Sequence, residues 1–295
     1  MSASTISRRP VLGRGRLQQR QERRFSPIRF GIVMILAATY VYPFLFMVGV
    51  ALKPASQYDH DPIGFPSSIT FANLTTAWNA ATPDLGRAML NSLLSVSVGT
   101  VLCCVITSLA AFWFLRNKGR VSRFLLGTFG GLWILPQVVW LVPFFVVLSN
   151  LHLLDNLWVL GIVYGSVLAP GFIWLLWAYF LQGIPDDVLQ AAEVDGASML
   201  QQFLRIALPL SLPALGTVAA LCFVFAWGDL LLAVVLMQST SNFTATVAAA
   251  TLVGRFGTGV QSSAAAALIT IAPNLIVFLI AQKAIVRGIT GGFSR

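Results

Sequence analysis

Six stretches of this chain run for the width of a bilayer without one Asp, Glu, Lys or Arg. They are Phe30–Leu52, Ala88–Leu115, Phe124–Leu154, Asn156–Pro185, Ile206–Gly228 and Phe256–Gln282. A helix crossing the hydrocarbon needs about 20 predominantly apolar residues, and each stretch suffices. Of 295 residues, 57% are hydrophobic and 10% charged, whereas a soluble domain carries roughly 25% charged residues. A soluble enzyme, a DNA-binding domain and a disordered chain are excluded. The expected fold class is an all-α polytopic membrane protein with six transmembrane helices, near 31–52, 89–115, 125–149, 158–183, 212–236 and 263–285. The fifth span is interrupted by Asp229. The uncharged stretch after it, Leu230–Gly254, reads as a loop because Gln238, Ser239, Thr240, Ser241, Asn242 and Thr244 fill its middle.

Charge sets the orientation. The net +9 suggests nucleic acid only until the basic residues are placed. Arg8, Arg9, Arg14, Arg16, Arg20, Arg23, Arg24 and Arg29 precede the first span. With the termini inside, these join Arg116, Lys118, Arg120, Arg123, Arg205, Lys283, Arg287 and Arg295 on the inner side. Lys53, Arg87 and Arg255 fall outside. Cytoplasmic flanks collect Lys and Arg, so both termini are expected in the cytoplasm. The apolar run after the basic arm 1–30 is too long for a signal-peptide core and contains Pro43, so it reads as a retained first span. The arm itself reads as a topology determinant able to touch anionic lipid. Residues 53–87 are expected outside, with Phe71 and Trp78 packing a short helix on the membrane surface.

Other chemistries are excluded by what the chain lacks. Cys103, Cys104 and Cys222 lie in apolar runs and His60 and His152 lie far apart, so neither a disulfide framework nor a metal site is expected. No P-loop occurs: Lys53, Lys118 and Lys283 are followed by Pro, Gly and Ala. With no catalytic residues and no cofactor expected, any ATP dependence must come from a partner. Gly127-x-x-x-Gly131 and Gly161-x-x-x-Gly165 fit the close-packing pattern of membrane helices.

The segment 184–213 between spans four and five is the most informative. Asp187 with Gln190, and Ser198 with Gln201, have capping-box spacing. Gly196 stands where a left-handed residue closes a helix, and Pro209 and Pro213 are expected to bound the second helix. A short helix, a glycine turn and a second short helix therefore lie along the cytoplasmic face. The first exposes Ala191, Ala192 and Gly196, small enough for close backbone approach. Taken alone, the loop fits equally an interfacial amphipathic segment.

The pattern Gln190-Ala191-Ala192-x3-Gly196-x9-Ile206-x-Leu208-Pro209 resembles the EAA loop of permease subunits of bacterial ABC importers, the MetI-like binding-protein-dependent transport permeases. Asp195, Gly196, Ala197 and Ser198, with Phe203 and Pro213, resemble its carbohydrate-uptake branch. The segment Phe223–Asp229 and the tail Gln282–Gly292 are similar to further segments of that branch. Gln190 departs from the family's usual Glu, and Gly228 from its usual Asn. The resemblance implies that Gln190, Ala191, Ala192, Asp195, Gly196, Ala197 and Ser198 form a coupling helix seated in an ATP-hydrolysing subunit. The chain would be a multi-pass inner-membrane permease, with core 88–285 and a cytoplasmic tail 286–295 that reaches between the ATPase subunits. Its implied partners are a second homologous permease, two ATP-binding subunits and an extracellular or periplasmic substrate-binding protein, with no nucleic acid. The implied substrate is a sugar or oligosaccharide; a glycerol phosphate or polyamine is the alternative.

Polar groups inside a membrane are costly and are functional candidates by default. Asn91, Gln137, Trp140, Trp227, Asp229 and Asn274 are the candidates for lining the pathway. Each also fits helix packing or a structural hydrogen bond, the blander reading for Asp229 and the tryptophans. A secondary transporter would show coupling-ion residues in several spans, and an intramembrane enzyme a nucleophile–base pair or metal ligands. One intramembrane acid serves neither.

Overall fold

The structure, a computed structural model, describes residues 27–253 and 259–290. Most of the basic arm, Arg255 and the last tail residues 291–295 lie outside the described residues. Among the described residues every regular element is helical. The chain divides into two compact units, 1–45 and 46–295. The first holds most of α1 (Pro27–Leu52), which opens on a proline whose missing N–H would be unpaired in the first turn anyway. Its side chains from Phe30 to Leu45 are nearly all exposed, as a span whose surroundings are lipid or another chain requires.

The second unit opens with two short helices, α2 (Ala55–His60) and α3 (Ala72–Ala80). Lys53 is buried and donates from Nζ to the carbonyls of Asp61 and Gly64 at 2.7 and 2.6 Å. Asn73 donates to the carbonyls of Ala51 and Lys53, both at 2.9 Å. The expected short helix exists as α3, with Phe71 and Trp78 exposed; Ala77 seats it among Ala51, Leu85, Ala88, Ala265 and Ala266.

The long helices follow: α4 (Leu85–Arg116), α5 (Arg120–Ile134), α6 (Val138–Asn150) and α7 (Leu157–Gly183). Asp84 caps α4 by accepting from the Arg87 N–H, and Asn156 caps α7 by accepting from Trp158 and Val159. The α4–α7 pair packs backbone on backbone. A Cβ on Gly161 would stand 2.6 Å from the Ser95 carbonyl, and one on Gly165 2.8 Å from that of Gly99. The small-residue pattern at Gly161 and Gly165 thus closes this interface, whereas a Cβ on Gly127 or Gly131 meets nothing within 4 Å.

The third expected span, 125–149, is not one helix. α5 and α6 meet at 101°. Leu135 takes φ −65°, ψ 129°, the extended conformation favoured before a proline, and Pro136 cannot continue the hydrogen-bond ladder.

Beyond α7 lie α8 (Asp186–Val194), α9 (Met199–Gln202), a π-turn (Phe203–Ala207) and α10 (Leu208–Trp227). Pro209 and Pro213 do not bound the second loop helix as expected, because Met199–Trp227 runs as one membrane-length element. For Pro209 the π-turn explains this. The Leu208 N–H reaches back five residues to the Phe203 carbonyl, and the widened turn relieves the clash a proline ring makes with the carbonyl four residues earlier. The fifth span also ends sooner than 236: α10 stops at Trp227, and α11 (Leu231–Leu236) is separate. After α12 (Ala245–Ala250), α13 (Gly259–Thr290) closes the fold. Among the described residues, five helices are long and apolar enough to cross a membrane, and the α5–α6 pair makes a sixth if counted as one broken span.

Candidate functional site

Two polar constructions interrupt this apolar bundle. The first is the elbow between α7 and α10. Asp186 and Asp187 stand in the first turn of α8, where negative charge favours the helix dipole. Pro185, not Asp187, is the N-cap, so the expected Asp187–Gln190 capping box does not form. At the other end Gly196 has φ +79°. Its N–H bonds the Glu193 carbonyl at 3.0 Å, and the Ala197 N–H bonds that of Ala192 at 2.9 Å. These two bonds make a Schellman closure, which needs a left-handed residue and hence glycine. The expected Ser198–Gln201 box forms in full: the Gln201 N–H donates to Ser198 Oγ, and the Ser198 N–H to Gln201 Oε1 at 2.8 Å.

α8 is docked by one side chain. Leu189 is buried with Phe112, Leu115, Phe180, Ile184 and Phe203, which come from α4, α7 and its C-cap, and the π-turn. Two ion pairs flank it, Arg116–Glu193 at 2.6 Å and Lys118–Asp186 at 2.9 Å. Opposite lies the candidate surface. Gln190, Ala191, Asp195, Gly196 and Ser198 are exposed, and Ala192 and Ala197 half-buried. A Cβ at Gly196 would meet nothing within 4 Å.

The second construction sits where α10 breaks. Asp229 is buried at 8% exposure. Its Oδ1 accepts from Gln137 Nε2 at 2.8 Å and its Oδ2 from the Tyr164 hydroxyl at 3.0 Å. Its oxygens also accept the N–H groups of Leu232 and Ala233 at 3.4 and 3.1 Å, which caps α11. The carboxyl group is therefore held by four donors, as burial demands. Gln137 lies at the α5–α6 break, so two broken helices share one hydrogen bond. A small cavity of ≈ 50 Å³ touches Gln137, Tyr164 and Asp229, and another of ≈ 210 Å³ is lined by Trp133, Gln137, Trp140 and Phe225.

Three other pathway candidates make no hydrogen bond to this group among the described residues. Asn91 donates to the carbonyls of Ser241 and Phe243 at 2.9 and 3.0 Å, fastening a loop. Trp227 is buried, stacks on Phe223 and donates to the Thr270 carbonyl at 2.9 Å. Asn274 donates to the Val224 carbonyl at 3.3 Å, and its buried Oδ1 has no partner among the described residues. Sequence reasoning missed Tyr164, the docking residue Leu189 and both ion pairs. Tyr164 carried a readable signal, a hydroxyl in the middle of an apolar span. The ion pairs carried none, since their partners are 77 and 68 residues apart.

Outside the membrane segments, Asp155 makes a third polar joint. It accepts the N–H groups of Gln238 and Ser239 at 3.0 and 2.9 Å and the Ser239 hydroxyl. Partial burial works against its charged form, but these bonds prevail and hold its pKa below the ordinary carboxylate value.

Residues 103–291 match the family described as binding-protein-dependent transport system inner membrane component. The chain is 27% identical over 261 residues to the melibiose/raffinose/stachyose import permease protein MelC of Bacillus subtilis (strain 168), covering 88% of this chain and 94% of the relative. It is 33% identical over 253 residues to the trehalose transport system permease protein SugB of Mycobacterium tuberculosis (strain CDC 1551 / Oshkosh), covering 85% and 90%. Its fold is similar to a chain in the crystal structure of a bacterial ABC transporter involved in the import of the acidic polysaccharide alginate. The TM-score is 0.74 at 22% identity, over 90% of this chain and 97% of the other. The chain belongs to the family of binding-protein-dependent transport inner-membrane components: it is an integral inner-membrane transport subunit rather than an enzyme, working with separate ATP-binding subunits and a substrate-binding protein.

Proposed function

We propose that this chain forms one half of the translocation pathway of a sugar or oligosaccharide importer, and that the 186–202 elbow joins it to an ATP-hydrolysing subunit. The second half is a homologous permease, and two ATP-binding subunits drive the pair. The observation that carries the coupling role is the elbow's bare surface. Gly196 is exposed, left-handed and open above its Cα, beside Gln190 and Ala191. Such a surface admits the close approach of another protein's backbone. Leu189 transmits the push: a load on α8 reaches α4, α7 and the foot of α10 through one packed cluster. Packed clusters of this kind switch between discrete arrangements rather than deforming smoothly.

A sugar substrate is supported by the names of the relatives and by the broken-helix region. Trp133 and Trp140 offer flat apolar faces beside the Gln137 amide, the combination that a ring with an apolar face and a hydroxyl rim requires. In transporters, helix breaks near the midplane commonly mark the binding region. The basic residues at 116–123 support cytoplasmic termini. Reporter fusions after Arg120 and Arg295 then behave as cytoplasmic and those near Asp61 and Asp155 as external; an external C-terminus overturns this topology.

Gly196→Arg tests the coupling role. No span is touched, so the variant inserts normally, while the arginine obstructs the receiving surface and breaks transport and binding-protein-stimulated ATP hydrolysis. Gly196→Ala has a smaller effect, carrying the backbone strain of about 1–2 kcal/mol with little obstruction. Both are purified with their partner subunits and compared with wild type in subunit recovery and ATPase rate. Normal assembly, hydrolysis and transport by Gly196→Arg would show that the elbow is not the coupling element.

A further inference from the structure

Where α4 ends, α5 begins and α7 ends, a groove of ≈ 410 Å³ opens on the same end of the bundle as the elbow. Its mouth is basic: Lys118 and Arg123 line it, and among the described residues lining it none is acidic. Lys118 is shared with Asp186 at 2.9 Å, whereas Arg123 has no ion pair among the described residues. Ser122 adds a hydroxyl. The walls are apolar and aromatic, with Leu126, Trp174, Trp177 and Leu181. Trp174 donates its indole N–H to the Leu126 carbonyl at 3.0 Å and meets Trp177 edge-on at 5.5 Å. The aromatic wall is therefore fixed, and the Trp174 N–H is spent inside the protein. Gly127 leaves the floor open, since a Cβ there meets nothing within 4 Å.

We propose that an anionic phospholipid of the bilayer occupies this groove, with its phosphate between Arg123 and Lys118 and an acyl chain along Leu126, Trp177 and Leu181. Charge complementarity selects the headgroup: two cations with a single acid in reach leave a net positive mouth, and anionic lipid is concentrated at the cytoplasmic leaflet. The apolar length behind the mouth selects lipid over a soluble phosphate, because phosphate alone would leave those walls in water. Phe124, exposed at 72%, and Leu181, at 48%, continue the apolar surface beside the groove, as a hydrocarbon boundary requires. The inference rests on the proposed topology, which places this end at the cytoplasmic leaflet, but not on transport.

The test is photolabelling of the assembled complex in phosphatidylcholine vesicles doped with phosphatidylglycerol that carries a diazirine on one acyl chain. Mass spectrometry then locates the label. Label is expected within 114–127 and 174–181. Arg123→Gln reduces it about fivefold and the Arg123→Gln, Lys118→Gln double variant about twenty-five-fold, at about one charge's worth of headgroup attraction each. Gly127→Leu changes no charge and fills the groove; it removes the label there while labelling elsewhere on the bundle stays unchanged. Equal labelling by diazirine phosphatidylcholine overturns the proposal, as does wild-type labelling of the double variant. Loss of label on adding inorganic phosphate assigns the mouth to a soluble anion and also overturns it. Label on the isolated chain that vanishes in the complex assigns the groove to a partner protein. A negative result with transport intact fails this proposal alone. Normal coupling in Gly196→Arg fails only the proposed function.

Discussion

In the elbow, the bonds that shape the chain close within a few residues: Gly196 to Glu193, Ala197 to Ala192, and Ser198 and Gln201 to each other. Around Asp229 the side-chain bonds come from 65 and 92 residues away, at Tyr164 and Gln137. The elbow is mostly exposed, its first helix docked by Leu189 and two ion pairs and its second by buried Gln202 beside Phe203, so it keeps its shape while its angle to the bundle is set by these few contacts. The Asp229 joint is buried and has four donors, so it exists only when three separate helices are in place. A local construction suits a surface that must be handed to a partner. A long-range one suits a junction whose geometry has to report on the whole bundle.

The largest expected effect that would break this comparison is at Asp229. Asp229→Leu leaves the Tyr164 hydroxyl, the Gln137 amide and two N–H groups of α11 without their acceptor. At about 1–3 kcal/mol for each buried group left unsatisfied, the loss is roughly 4 kcal/mol or more, read as a lower unfolding midpoint of the purified chain. Asp229→Asn retains one acceptor and loses less. Equal midpoints for all three would show that the joint carries no stability.

Ser198→Ala is the matched change in the elbow and costs about 1 kcal/mol. The effect is confined to faster amide hydrogen exchange over 199–202, with the midpoint for the bundle unchanged. A bundle-wide loss from Ser198→Ala would erase the distinction between local and long-range construction.

Asp155 sharpens the comparison with the smallest effect, since it caps amide groups as Asp229 does but in water. Its pKa is lowered in the folded chain, so its contribution is fully present above the unfolded value and is lost as pH falls through the folded one. The loop 237–242 should therefore gain protease sensitivity only below the ordinary carboxylate value of 3.8. Asp155→Asn should lose that pH dependence while keeping the fold. An unchanged pH profile in Asp155→Asn would show that other groups govern the loop.

By itself the sequence determined the class of fold and the elbow. Bilayer-long uncharged runs admit little other than membrane helices, because unpaired backbone polar groups are too costly in hydrocarbon. The helix, turn and cap at 186–202 are read from residues adjacent in the chain, because their hydrogen bonds are local. Asp229 also marked the break of span five, whereas tertiary structure alone decided where span three breaks, which proline is tolerated and which polar residue meets which. Pro136 and Pro209 look alike in sequence. One ends a helix, whereas the other is absorbed by a π-turn because Phe203 and Ala207 are packed against α4 and α7. Asn91 and Gln137 were equal candidates until packing sent one to a loop carbonyl and the other to a buried carboxylate. Which donor reaches which acceptor depends on distances between helices, and those are set by the close contact of Gly99, Gly161 and Gly165 rather than by any residue's own chemistry.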